Sequence, residues 1–256
     1  MIKLLEKQKP WWEPGTMGGY HAFTFGFILG ELVKRVTGKT LGTFFNEKVA
    51  QPLSADFSIG IPADYEKRVA ELLSPDVPFN DLLEKGSIIY KILSNPAGWT
   101  MGGNNTKEFV KFCNTSAFRK FDLPATNGFA NARSVARIAS VIACGGNIDN
   151  VHLLSQNTIN EALKEQFSGK GYVFIDGIRY GTGFGLPSTL KPIKNPSTLF
   201  WGGWGGSVCI MDIDAKVSIS YVMNKMRIQA PEETRENKFA SDSRANQLVS
   251  AVYEAL

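Results

Sequence analysis

Two short stretches rich in glycine and aromatic residues contain the side chains of this sequence that best suit a reaction site. The first, Pro10 to His21, ends in Tyr20 and His21; the second, Phe200 to Ser207, contains the run Trp201-Gly202-Gly203-Trp204. Glycine lets a ligand approach the backbone closely, and aromatic rings form the walls of binding pockets. Tyrosine and histidine can also transfer protons. The two stretches therefore predict a ligand site with a proton-transfer group.

Each of these residues also admits a purely structural interpretation. The glycines can serve as turns beside core aromatics, and Tyr20 can be a core phenol. His21 is one of two histidines in the chain, the other being His152. The sequence contains no Gly-x-Ser-x-Gly elbow, so a histidine-based catalytic triad is disfavoured, and we expect a structural or supporting role for His21.

Hydrophobic periodicity predicts the elements that must position these residues. The predicted helices are Tyr20 to Val36 ending at Gly38, one capped by Thr40, Ala130 to Ala143, one of residues 156–164 capped by Ser155, and a last helix capped by Ser241 or Asp242. The predicted strands are Asp56 to Ile61, Ile178 to Phe184, Val208 to Ile213 and Lys216 to Met223. The segment from Pro75 to Gly103 is predicted to be an irregular excursion with one helix. Together they indicate an α+β fold, an antiparallel sheet flanked by helices with a helical lobe.

Composition limits the possible functions. The 256 residues are 43% hydrophobic and 20% charged, with a formal net charge of +4. This is typical of a globular protein, and the scattered basic residues argue against nucleic acid as a partner. The three cysteines are not at metal-ligand spacings, and we expect no metal and no cofactor. No apolar leader or membrane-length run is present, so we expect a cytoplasmic protein without a membrane partner.

The order of the two stretches resembles the serine β-lactamase-like family, which includes class C β-lactamases, penicillin-binding proteins and carboxylesterases. Tyr20-His21-Ala22 resembles the family's Tyr-x-Asn loop, and Trp201-Gly202-Gly203 resembles its Lys-Thr-Gly strand in the form typical of the carboxylesterase branch. The resemblance implies one domain over residues 1–256. Its helical lobe would span about residues 20–165, and its sheet with the C-terminal helix about residues 172–256.

The resemblance also implies a mechanism, which is acyl transfer through a serine ester. In it Tyr20 relays a proton to the leaving group, and the backbone N–H of Trp204 donates to the oxyanion. His21, Trp201, Gly202, Gly203 and Trp12 would contact the substrate. Ala22 replaces the family's asparagine, which disfavours β-lactam recognition more than ester hydrolysis.

The family's catalytic Ser-x-x-Lys helix is not found in this sequence. The one literal match, Ser188-Thr189-Leu190-Lys191, lies between Pro187 and Pro192, which oppose the helix that the motif requires. We expect this match to be a surface loop. The nucleophile is therefore predicted to lie outside this chain.

Three functions follow from these observations. The first is an ester or amide hydrolase, or an acyltransferase, whose nucleophile belongs to another segment. The second is an inactive relative that binds a ligand or a partner, and the third is an isomerase-type enzyme that uses Tyr20 and His21. The expected partners are a small ester or amide and either a second copy of the chain or a complementing N-terminal segment. The resemblance places further strands beside Lys216 to Met223, so without them this strand is expected to be an open apolar edge. Another polypeptide, a second copy of the chain, or residues Ile2 to Lys9 folding back would cover it.

Overall fold

The computed structural model describes residues 1–10, 12–76, 106–169, 178–188, 193–227 and 242–256. The helices of these residues are α1 (Ile2–Lys7), α2 (Thr24–Thr37), α3 (Leu41–Phe45), α4 (Thr106–Cys113), α5 (Ser116–Lys120), α6 (Ala132–Ala143), α7 (Gln156–Leu163) and α8 (Ser243–Ala255). Two short antiparallel pairs accompany them: β1 (Phe57–Ile59) with β2 (Gly128–Ala130), and β3 (Asn147–Ile148) with β4 (Val151–His152).

The remaining strands form one six-stranded antiparallel sheet. They are β5 (Phe167–Gly169), β6 (Ile178–Tyr180), β7 (Gly185–Leu186), β8 (Thr198–Gly202), β9 (Val208–Asp212) and β10 (Val217–Tyr221). Their order in the sheet follows the chain, with β10 at one end and β5 at the other. The fold is thus the predicted α+β arrangement of an antiparallel sheet and helices.

Alternation along the strands gives the sheet two buried faces. Phe200 and Ile210 pack with Val249 of α8 on one face. Leu199 and Met211, which alternate with them, pack with Ala139 of α6 on the other. Trp201 has the same parity as Leu199, so the alternation places it on the α6 side of the sheet.

Capping residues set several helix ends where the sequence predicts them. The side chains of Thr40, Ser155 and Asp242 each accept a hydrogen bond from a backbone N–H in the first turn of the helix that follows. Gly38 ends α2 with a φ of 75°, a left-handed conformation that glycine adopts without strain.

Helix α2 begins at Thr24, four residues after the predicted start at Tyr20. The preceding residues form turns beside Trp12, whose ring packs so tightly on Gly19 that a Cβ there would lie 2.3 Å from it. This tertiary contact overrides the helical periodicity. Much of the apolar side of α2 is exposed, namely Phe25, Ile28, Leu29, Leu32 and Val36.

Strand β10 has one partner strand among the described residues. It pairs with β9 in the predicted hairpin, with Ile219 opposite Ile210, and no described strand lies along its other edge. The N-terminal residues do not cover that edge as a strand. They form α1, which packs on α2 and links Glu6 to Arg35 at 2.8 Å.

Two sequence predictions fall partly outside the described residues. The excursion from Pro75 to Gly103 is described only to residue 76, and the Ser-x-x-Lys match is described only at Ser188 and its preceding Pro187. Among the helices of the described ranges, none is long and apolar enough to cross a membrane.

Candidate active site

A cavity of about 430 Å³ lies between the helical lobe and the sheet. The lobe contributes residues 18–22, Phe25 at the start of α2, and the loop residues Pro124 and Ala125. The sheet side contributes Trp201, Tyr180 and their neighbours from β5 to the turn after β6. The cavity therefore brings the first glycine-rich stretch against the strand that carries the second.

Tyr20 and Trp201 form the contact between the two sides. Their ring centroids are 5.5 Å apart with an interplanar angle of 28°. The indole N–H of Trp201 donates a hydrogen bond to the phenol oxygen of Tyr20. An indole N–H can only donate, so the Tyr20 oxygen is the acceptor in this bond.

Burial governs the proton affinity of both phenols in the cavity. It raises the pKa of Tyr20 above its ordinary value, and the hydrogen bond from Trp201 offsets part of that effect. Burial together with the neighbouring Tyr20 raises the pKa of Tyr180 to about 12. Both phenols are therefore neutral near pH 7, and Tyr20 is suited to donate a proton.

His21 lines the cavity next to Tyr20 but remains exposed. Its Nδ1 lies 2.7 Å from the hydroxyl oxygen of Thr24, in the first turn of α2. This contact orients the imidazole and leaves Nε2 as its second polar atom. His21 is thus held at the mouth of the cavity rather than in the core.

Trp12 lies behind the cavity wall. Its indole N–H donates to the carbonyl of Met17 at 3.0 Å, and its ring packs against Gly19. It is not among the described lining residues. The structure places Trp12 as a support for the Gly18–Gly19 backbone, and its predicted contact with substrate stays a prediction.

Gly202, Gly203 and Trp204 continue the strand past Trp201 into a tight turn. The N–H of Gly203 donates to the carbonyl of Ser207 at 2.7 Å, and the N–H of Gly206 donates to the carbonyl of Gly203 at 3.0 Å. The Trp204 ring packs on Phe109 of α4, with centroids 5.9 Å apart. None of these three residues is among the described lining, so their predicted roles remain proposals.

The turn is held from behind by the C-terminal part of the chain. Gly206 has a φ of 112°, and a Cβ there would lie 2.6 Å from Cβ of Asp242. The N–H of Arg227 donates to the carbonyl of Gly205 at 2.9 Å. These contacts fix the backbone around Trp204 relative to α8.

Sequence reasoning missed much of the sheet side of the cavity. Tyr180, Phe167 and Phe184 line it, yet none was singled out. A signal was present, because Tyr180-Gly181-Thr182-Gly183-Phe184-Gly185 repeats the mixture of glycine and aromatic residues that marks the other two stretches.

Comparison with known proteins identifies the family of this chain. The sequence model of the β-lactamase family matches residues 1–241. The chain belongs to the β-lactamase family. A curated relative, the esterase/β-lactamase LipL of Mycobacterium tuberculosis (strain ATCC 25618 / H37Rv), is 30% identical over 225 residues, which are 83% of this chain and 50% of LipL.

Solved structures of the family share the fold. A family VIII carboxylesterase is 33% identical with a TM-score of 0.78, and the match covers 97% of this chain and 61% of the carboxylesterase. A penicillin-binding protein homologue from Caulobacter crescentus is 29% identical with a TM-score of 0.80, and the match covers 97% of this chain and 62% of the homologue. The chain thus spans half to about three-fifths of the length of these relatives.

Proposed function

We propose that this chain provides the tyrosine and strand sides of an acyl-transfer site that acts on esters or amides. The nucleophilic serine and its lysine belong to a Ser-x-x-Lys segment outside the 256 residues. The contact of Tyr20 with Trp201 at the cavity carries the proposal, because it joins the counterparts of two family motifs. Similarity to a carboxylesterase and to an esterase/β-lactamase supports the reaction class.

Each group has a defined role in this reaction. The lysine of the added segment takes the proton of its serine as the serine oxygen attacks the substrate carbonyl. The resulting oxyanion accepts hydrogen bonds from the serine N–H and the Trp204 N–H. Tyr20 donates its proton to the leaving alkoxide or amine as the carbonyl bond breaks. Water then attacks the acyl-serine to release the acid, or an alcohol attacks it to form a new ester.

The lysine of the added segment also completes the electrostatics of Tyr20. A nearby cation favours the phenolate and lowers the pKa of a tyrosine. Among the described lining residues there is no lysine or arginine. Tyr20 of this chain alone is therefore a proton donor. Once the lysine is supplied, the Tyr20 phenolate can also accept a proton, so the same side chain serves as both acid and base.

A second function, ligand binding without catalysis, is favoured by one observation. The described lining of the cavity contains no serine, threonine, cysteine or lysine, so its described residues offer no usual nucleophile. The cavity is nevertheless formed by this chain. The two functions predict different results when the Ser-x-x-Lys segment is supplied: acyl transfer predicts turnover, and ligand binding alone predicts none.

A single-chain chimera tests the proposal. The N-terminal segment of the family VIII carboxylesterase, including its Ser-x-x-Lys motif, is fused to Met1, and hydrolysis of an activated ester is measured. We expect turnover that falls by about 10² or more in Tyr20→Phe, the usual loss of a general acid. Tyr65→Phe, which removes a hydroxyl from an exposed ring outside the described cavity lining, should retain the activity.

The unfused chain provides the complementary measurement. After incubation with a fluorophosphonate, intact mass analysis should show no adduct, whereas the chimera should gain one on the serine of its added motif. A folded chimera without turnover would favour ligand binding alone. A stoichiometric adduct on the unfused chain, at Ser188 above all, would overturn the proposed location of the nucleophile.

A further inference from the structure

Four aromatic rings follow one another along the cavity wall. Tyr20 contacts Trp201 at 5.5 Å, Trp201 contacts Tyr180 at 5.7 Å, and Tyr180 contacts Phe167 at 6.4 Å between centroids. The successive interplanar angles are 28°, 38° and 33°. The first pair is stacked and the other two are tilted. The four rings therefore form one contiguous aromatic cluster in the cavity lining, which we call the ring row.

The surroundings of the ring row carry no fixed charge in the described part of the lining. No aspartate, glutamate, lysine or arginine is among those residues. Burial raises the pKa of Tyr20 and Tyr180, so both phenols are neutral at pH 8. His21 is the one described lining residue with a basic side chain.

The lobe also contributes apolar side chains to the cavity lining. Phe25 lies at the lobe rim, and Pro124 and Ala125 present small apolar surfaces. Asn127 fixes this loop, since it is 2% exposed and donates to the carbonyl of Phe118 at 3.1 Å. A flat group entering the cavity would thus meet both the ring row and a positioned apolar loop.

We infer that the ring row binds the uncharged aromatic part of an ester or amide substrate, and that the site rejects substrates with a carboxylate on that group. This deepens the proposed function by naming its substrate class. Stacking favours a flat ring over a saturated one of the same size. A carboxylate would lose its hydration without gaining a cationic partner among the described lining residues, which is unfavourable.

Binding of methyl ketones at pH 8 tests the inference without any chemistry. A ketone resembles the ester but cannot be cleaved, so the result does not depend on the missing nucleophile. Isothermal titration calorimetry would compare 2-acetylnaphthalene with its 6-carboxylate and with 2-acetyldecalin, its saturated counterpart. We expect the neutral aromatic ketone to bind about tenfold or more tightly than either, a difference of about 1.4 kcal/mol or more.

Matched variants connect the binding to the ring row. Trp201→Leu should weaken binding of 2-acetylnaphthalene about tenfold, whereas Trp201→Phe, which keeps a flat ring, should weaken it less than about threefold. Phe121→Leu removes an exposed ring outside the described lining and should leave binding unchanged. Circular dichroism establishes that each variant is folded.

A variant that gains affinity for the carboxylate ligand tests the charge argument separately. The substitution lies in α2 and leaves the strands unchanged. Phe25 is 49% exposed at the rim, so Phe25→Lys places a cation at the cavity without burying it. This variant should reduce the ratio of the Kd of the carboxylate ketone to the Kd of the neutral ketone by at least about threefold.

Three results would overturn the inference. They are equal binding of the neutral and carboxylate ketones, equal binding of the aromatic and saturated ketones, and tighter binding of 2-naphthyltrimethylammonium, which would identify a cation site. An inactive chimera would leave these binding results intact, so failure of the substrate class and failure of the proposed reaction are distinguishable.

Discussion

Asp212 lies at the end of β9 with none of its surface exposed. Its carboxylate accepts hydrogen bonds from the Tyr253 hydroxyl at 2.7 Å, the Asn195 amide at 2.8 Å and the Ala215 N–H at 2.9 Å. Burial and the bond to Asp212 raise the pKa of Tyr253. The network ties α8 to the hairpin of β9 and β10, and a buried acceptor that loses a donor is costly.

Tyr253→Phe should therefore destabilise the protein by about 1–3 kcal/mol, since it removes one donor to the buried carboxylate and keeps the ring. Urea unfolding followed by circular dichroism would measure the change. Tyr65→Phe is the matched control, because Tyr65 is exposed, and it should change stability by less than about 0.5 kcal/mol. Equal effects of the two substitutions would contradict the role given to the network.

The sequence predicts some of the individual residues that line the cavity. Tyr20, His21 and Trp201 stood out because of their glycine neighbours, and the structure brings them to one cavity. Their catalytic and binding roles remain predictions. Trp12 illustrates the limit, because composition cannot distinguish a ring that lines a cavity from one that supports its backbone from behind.

Helix α2 illustrates how an element positions the site. Two of its glycines face the loop that carries Pro124 and Ala125. A Cβ on Gly26 would lie 2.5 Å from the backbone nitrogen of Ala125, whereas a Cβ on Gly30 would lie 3.7 Å from Pro124. The first distance is a clash with backbone, and the second is an ordinary contact.

These glycines form a matched pair for mutation. Gly30→Ala should stabilise the protein by about 0.5–1 kcal/mol, because alanine is the better helix former and space is available. Gly26→Ala should destabilise it by about 1–3 kcal/mol through overpacking. Thermal unfolding measures both. A stabilising Gly26→Ala would mean that α2 does not pack closely on the loop.

The elements were predicted best where local chemistry decides them. The caps at Thr40, Ser155 and Asp242 need only a side chain and the next turn of backbone, so the sequence suffices. The start of α2 and the two-residue strand β7 depend on partners distant in sequence. The six-residue helix α1 was likewise not predicted, because so short a segment has little periodicity.

At the scale of the whole molecule, the β10 edge of the sheet has no further strand beside it among the described residues. Strand β10 has α6 on one side, where the Ser218 hydroxyl donates to the carbonyl of Ala136 at 2.9 Å, and Ile219 packs toward the α8 cluster on the other. Its faces are covered but its outer backbone groups are available for pairing. Such an edge favours addition of another strand.

We therefore expect the chain to associate through β10 at micromolar concentration. In a two-fold antiparallel pairing centred on Ile219, residue 222 faces Lys216 of the second copy. Val222→Lys should weaken the dimer by like-charge repulsion, and Val222→Glu should preserve it. Sedimentation measures both. A monomer at all concentrations, with rapid amide exchange along residues 217–221, would contradict the prediction.

The sequence could indicate this open edge only through the family resemblance. Val217, Ile219 and Tyr221 alternate as in a half-buried strand, but alternation does not say which neighbour a strand has. Pairing partners are a property of the assembled sheet. The domain division at about residues 165–172 stays a prediction for the same reason.

The contact between Tyr20 and Trp201 joins segments separated by most of the chain. The cavity therefore exists only when the first stretch of the protein and its last strands have both reached their final positions, so it forms late in the formation of native contacts. A bound aromatic molecule would contact both of these distant segments, and it would raise the melting temperature further as the ratio of its free concentration to its Kd increases. A variant that still binds the ligand would therefore have both the first stretch and the last strands in their native positions.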